Sequence, residues 1–142
     1  MRSFILRAFV LSVAALAVVV TAGCAGEINN LPTTPTPDPV TETFTGQVNI
    51  NGSSTTNFFT SATGVVVATL TSLGDNPPEK IGFSMGTMSG STCSIVLRND
   101  SAVVTSVITG TVSTLAGSLC ISVYDVGSLT ETVPFTFTVR HP

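Results

Sequence analysis

The sequence predicts an all-β domain: a two-layer antiparallel β-sandwich of about eight strands. Three observations point there. After Thr43 the chain is dominated by Thr, Val, Ser and Gly, residues that suit strands and turns. Several runs alternate apolar and polar residues, the period-two pattern of a strand with one buried and one wet face. Turn-forming residues separate these runs at short intervals, whereas the helix formers Glu, Lys and Gln are scarce.

The strands are expected at 43–50, 56–61, 64–73, 80–86, 92–98, 102–113 with a break near Gly110, 118–126 and 132–140. In the first, Phe44, Val48 and Ile50 share a face. Ile81, Phe83 and Met85 alternate with Gly82 and Ser84. Val133, Phe135, Phe137 and Val139 alternate with polar residues and Pro134, which is the cleanest pattern in the chain. Gly64-Val65-Val66-Val67-Ala68-Thr69-Leu70-Thr71 is denser in apolar residues and reads as a more central strand. Asn51-Gly52, Asn76-Pro77-Pro78, Asn99-Asp100 and Ala116-Gly117 supply the turns.

The 142 residues allow one such domain. Only 9% of them are charged, against about 25% in an average soluble domain. The apolar share of 43% excludes charge-driven disorder. Five Lys+Arg and a net charge of −3 argue against a nucleic-acid partner, which would need phosphates neutralised.

The mean hydropathy of +0.52 belongs in part to the N-terminus. Arg2 and Arg7 form a basic start. Ala8 to Val20 then contains one polar residue, Ser12, and Thr21-Ala22-Gly23-Cys24 follows. This is the order of a secretory signal helix. A Cys directly after Ala-Gly resembles the bacterial lipobox, although Thr21 stands where that motif favours Leu. The resemblance implies cleavage of residues 1–23, diacylglycerol on the Cys24 thiol and an acyl chain such as palmitate on its new amino group. It makes the lipid bilayer a partner. Ala25 after the Cys, where Asp would signal inner-membrane retention, favours the outer membrane. A retained membrane span and an ordinary signal peptide with free Cys24 are the alternatives. Residues 24–142 keep three bases and eight acids, a net charge of −5.

Residues 24–42 read as a tether. Leu31-Pro32-Thr33-Thr34-Pro35-Thr36-Pro37-Asp38-Pro39 has no apolar periodicity, and its prolines favour extended, disordered chain. The sandwich is expected over 43–142.

With Cys24 lipidated, Cys93 and Cys120 remain, on two expected strands. In an oxidising compartment they are expected to form a disulfide, closing a loop of roughly 28 residues. Two buried free thiols are the alternative. A metal site would need more ligands than two Cys and His141, and none is expected.

One further resemblance covers about residues 43–141. Its residues are Phe44-Thr45-Gly46, Asn57-Phe58-Phe59, the Ala62 to Leu70 run, Ala116 to Asp125, and the aromatic strand Val133 to Val139. This order resembles the bacterial pre-peptidase C-terminal (PPC-like) β-sandwich, while immunoglobulin-like and jelly-roll sandwiches share much of the same grammar. The resemblance implies an accessory or substrate-binding module. Some PPC-like domains bind calcium through clustered acids, but Asp75-Asn76-Pro77-Pro78-Glu79 lacks a tight pattern.

Catalytic machinery is not legible. Gly86-Thr87-Met88-Ser89-Gly90 has its Ser one place late for a nucleophile elbow. The single His is His141, too near the end for a triad. Tyr124, Phe58 and Asp125 are the candidate ligand-binding residues, the rings for stacking and the acid for hydrogen bonding. The expectation is a non-enzymatic, cofactor-free envelope module for binding or scaffolding, with an envelope protein or polysaccharide as partner. A small hydrolase using carboxylates and a subunit of a larger envelope complex are the rivals.

Overall fold

The computed structural model describes residues 37–114 and 117–142. The expected signal helix, Cys24, most of the tether and Ala116 lie outside the described residues. Among the described residues there are eight strands: β1 Val40–Val48, β2 Ser53–Thr60, β3 Gly64–Ser72, β4 Ile81–Ser89, β5 Thr92–Ala102, β6 Val107–Val112, β7 Gly117–Tyr124 and β8 Val133–His141. They form two four-stranded antiparallel sheets, in the orders β1-β8-β3-β6 and β2-β7-β4-β5. The all-β sandwich expected from the sequence is present. Every connection except the β4–β5 hairpin passes from one sheet to the other, so the chain winds as a jelly roll.

Local chemistry sets the corners. Gly90-Ser91 forms a two-residue hairpin turn, with φ positive at Gly90 (61°) and not at Ser91, the pattern of a type II′ turn. The Gly52 N–H donates to the Asn49 carbonyl at 2.9 Å, and Asn51 takes a positive φ of 53°. This confirms the Asn51-Gly52 turn, but the turn carries the chain between sheets. Ile50 lies within it and is 49% exposed, so the expected inward face of β1 ends at Val48.

Three boundaries depart from the sequence reading. β1 begins at Val40 because Val40, Thr41 and Glu42 pair with His141, Arg140 and Val139 of the long β8. Asn99-Asp100 lies inside β5: between Ile81↔Ala102 and Phe83↔Asn99 that strand carries one extra residue. The turn chemistry is spent on a bulge, where Asn99 Oδ1 accepts the Ser101 N–H at 2.9 Å. The break expected near Gly110 falls at 103–106. There Thr105 has φ 77°, and the Thr105 N–H donates to the Leu70 carbonyl at 2.7 Å.

The core lies between the sheets. β3 is central in its sheet and buries Val66, Ala68 and Leu70; β8 buries Val133, Phe135, Phe137 and Val139. Phe137 is its hub, with ring centroids at 5.2 Å from Phe44, 5.9 Å from Phe83 and 6.0 Å from Phe135. Such ring pairs add about 0.5–1.5 kcal/mol each beyond burial.

β4 breaks the alternation expected of it. Ile81, Phe83 and Met85 face the core, but Gly82, Ser84 and Gly86 on the other face are buried too. Small side chains leave room for cover there. The Tyr124 ring lies across Gly82, where a Cβ would come within 2.2 Å of it. The backbone of β5 folds over Gly86, where a Cβ would meet the Ser94 carbonyl oxygen at 2.1 Å. This fold-over explains the disulfide. Cys93 and Cys120 are bonded, with Cα atoms 6.0 Å apart, although β4 runs between their strands. Strands two places apart in a flat sheet sit about 9.5 Å apart. Only a strand curling over a side-chain-free position brings them within reach.

Candidate functional site

The outward face of the β2-β7-β4-β5 sheet carries the most distinctive surface. On β7, Leu119, Ile121 and Val123 point into the core, so Ser118, Cys120, Ser122 and Tyr124 point away from it. The register sets Ser53 beside Tyr124, Thr55 beside Ser122, Asn57 beside Cys120 and Phe59 beside Ser118. The result is a lane with an aromatic ring at each end, its exposed hydroxyl and amide groups coming from Ser53, Thr55 and Asn57, while Ser122 and the disulfide-bonded Cys120 are buried beneath. Thr55 Oγ1 donates to Ser122 Oγ at 3.1 Å, and Ser84 Oγ donates to the Ser122 carbonyl at 3.3 Å. Phe59 is 60% exposed, so its ring is open to solvent at this end of the lane.

Tyr124 is held in place from three sides. Its ring rests on Gly82, which places it flat across β4, and its hydroxyl donates to Asp100 Oδ1 on β5. Arg98 Nε and Nη2 donate to the same oxygen at 3.3 and 3.1 Å. The Arg98 guanidinium carbon lies 5.9 Å from the Tyr124 ring centroid, within cation–π range. The hydrogen bond from Tyr124, with help from Arg98, lowers the Asp100 pKa. Burial and the bond to Asp100 raise that of Tyr124, so the phenol stays a donor at neutral pH. The face therefore offers a stacking ring, an exposed cation, an exposed carboxylate and a row of hydroxyls.

The three candidate ligand residues from the sequence are not brought together. Tyr124 is on this face. Phe58, one residue before Phe59, points the other way. It is buried beside Phe44 (6.4 Å) and His141 (5.3 Å), because the alternation of β2 gives it to the core. Asp125 works as a loop brace. Its Oδ1 accepts the N–H groups of Gly127 (2.7 Å), Ser128 (2.9 Å) and Leu129 (3.2 Å), and its Oδ2 that of Asn51 (2.8 Å). These backbone donors, Asn51 foremost, lower its pKa. An acid with its oxygens so occupied has little left for a ligand. Arg98 and Asp100 were missed. Their i, i+2 spacing puts them on one face of a strand, a signal hidden when Asn99-Asp100 reads as a turn.

No group of three or more His, Cys, Asp or Glu among the described residues is arranged to hold a metal ion. Cys24 lies outside the described residues.

Fold and site together define an eight-stranded jelly-roll sandwich with a polar, ring-flanked sheet face. No family model matches the chain, and no curated protein does. Among solved structures it is similar to the crystal structure of the Yersinia pseudotuberculosis-derived mitogen (YPM). The two share 17% sequence identity at a TM-score of 0.54, over 74% of this chain and 88% of that one. The likeness is one of fold.

Proposed function

We propose that the chain is a membrane-anchored lipoprotein of the bacterial envelope. Its sandwich, which resembles PPC-like domains, is a non-catalytic binding module for an envelope polysaccharide. The observation that carries the binding part is the lane between Tyr124 and Phe59. The two rings sit six residues apart along the β7 register, or about 20 Å at the rise of an antiparallel strand. That suits an extended polymer of several sugar units better than a compact small molecule. Sugars stack their apolar faces on rings, and their hydroxyls pair with Ser, Thr, Asn, Asp and Arg. The localisation part rests on the order of basic start, apolar run and Thr21-Ala22-Gly23-Cys24.

Affinity electrophoresis tests the first part. Residues 36–142, one compact unit with its own core and disulfide, migrate through gels containing soluble envelope polysaccharides. Retardation by one of them, lost in Tyr124→Ala and Phe59→Ala, is expected. No retardation in any gel, or retardation indifferent to both changes, overturns the reading. Metabolic palmitate labelling tests the second part. Labelling that persists in Cys24→Ala removes the anchor.

A hydrolase built on paired carboxylates draws less support. Asp100 and Asp125 each already accept several hydrogen bonds. Asp125→Asn and Glu79→Gln should leave binding unchanged.

A further inference from the structure

The two sheets part along the side where their edge strands β5 and β6 meet, leaving a cleft of about 360 Å3. Its deep walls are aliphatic: Val66 and Val112 from one sheet, Met85, Leu97 and Leu119 from the other. It exists because β6 carries Gly110 opposite Val66. A Cβ at Gly110 would come within 3.2 Å of Met85 Sδ and 3.4 Å of Leu97 Cδ1. The β5 register shift between Ile95 and Leu97 leaves Val96 at the mouth, 69% exposed.

A second cavity of about 350 Å3 shares Thr87, Thr111, Val112 and Leu119 with the first, so the two form one elongated groove. The chemistry changes along it. The first part sets the exposed Thr87, Thr109 and Thr111 beside its aliphatic residues, and the second is richer in hydroxyls, adding Ser113, Thr114 and Ser118. No charged residue lines either part, and neither contains an aromatic ring.

We infer that this groove binds a single-chain neutral amphiphile, its aliphatic tail between the sheets and its hydroxylated head among the Thr and Ser side chains. A lining of aliphatic and Thr side chains without rings favours a flexible alkyl chain over a flat aromatic ligand. The absence of charge from the lining selects against ionic heads, because an unpaired charge at a half-buried site is costly. The first cavity falls in the size range of ligand pockets. It has room for about a dozen groups the size of a water, enough for a medium-length alkyl chain. The groove meets the ring-flanked face only at Ser118, beside Phe59; its aliphatic part opens between the sheets, whereas Tyr124 lies on the outward side of β4.

The test titrates residues 36–142 with monodecanoylglycerol below its micellar concentration, followed by calorimetry and by methyl NMR. The expected result is saturable one-to-one binding, with shifts at the Val66, Met85, Leu97, Val112 and Leu119 methyls and none at Val48 or Val133. Gly110→Val fills the groove and should weaken binding at least tenfold. Decyl sulfate and decanoylcholine, with the same tail length and charged heads, should bind at least tenfold more weakly than the glyceride. Absence of saturable binding overturns the inference, as do shifts scattered over the surface. Equal binding of the charged amphiphiles overturns its account of the head. The methyl map on the wild type decides the matter if Gly110→Val does not fold.

Discussion

Removing the Cys93–Cys120 bond is the perturbation whose size follows most directly from the structure. The two cysteines are 27 residues apart, so the bond closes a loop of 28. The chain-entropy relation assigns such a loop about 3.6 kcal/mol at 25 °C. For a domain of this size each kcal/mol moves the midpoint of thermal unfolding by about 4–8 °C, so the loss should be about 14–29 °C. The chain-entropy figure is the upper value, since any tendency of β5 to lie flat beside β4 instead of folding over Gly86 works against the bond. Circular-dichroism melts of residues 36–142 with and without reductant, and of a Cys93→Ala/Cys120→Ala double variant, measure it. The variant separates loss of the cross-link from side effects of reductant. A midpoint that moves by less than about 5 °C in both would refute the reasoning. The packing of β5 on β4 would then suffice without the covalent link.

The other predictions concern named positions. Gly86→Ala forces a Cβ onto the Ser94 backbone, so it should slow or prevent closure of the disulfide, read as free thiol after oxidative refolding. Gly82→Val should lift the Tyr124 ring from its seat and break its bond to Asp100. Polysaccharide retardation should fall while the melting midpoint changes much less than in the disulfide variant. Phe137→Ala removes the hub of the ring cluster and should cost about 3–5 kcal/mol in a urea titration. Asp125 has a lowered pKa in the folded chain, so its stabilisation is present above the unfolded value near 4 and lost as pH falls through the lower folded value. The melting gap between wild type and Asp125→Asn should therefore be full at pH 6 and narrow steadily as pH falls below about 4.

The strands were legible because their signal is local. Val133 to Val139 alternates cleanly, and its four apolar residues are all in the core. The dense run at Val65–Val67 marked the central β3, since a strand flanked on both sides keeps apolar residues even where it faces outward. What stayed hidden depends on partners distant in sequence. Gly82 and Ser84 read as a wet face, yet both are buried, Gly82 beneath the Tyr124 ring. Asn99-Asp100 has turn chemistry, but pairing with β4 draws it into a strand as a bulge. Phe58 and Phe59 are adjacent and identical in type; only the register of β2 decides which enters the core and which faces water. The Tyr124–Asp100–Arg98 cluster joins two strands separated by a third, and no spacing rule on one chain reveals that.

The antiparallel pairing of β1 with β8 has a consequence for how the domain would be presented to its surroundings. Val40 lies beside His141, so the chain enters the sandwich and leaves its last strand at one end. Tyr124, Asp125 and the Asn49–Gly52 turn occupy the other, since Asp125 bonds to that turn and β1 runs nine residues to reach it. Nine residues of strand span about 30 Å. Were the sandwich tethered through Val40, it would stand as a post, with the Tyr124 ring a full strand length beyond the tether. Phe59, at the far end of the lane, stays near the base. A polymer lying along that face would run parallel to the post, from its foot toward its tip.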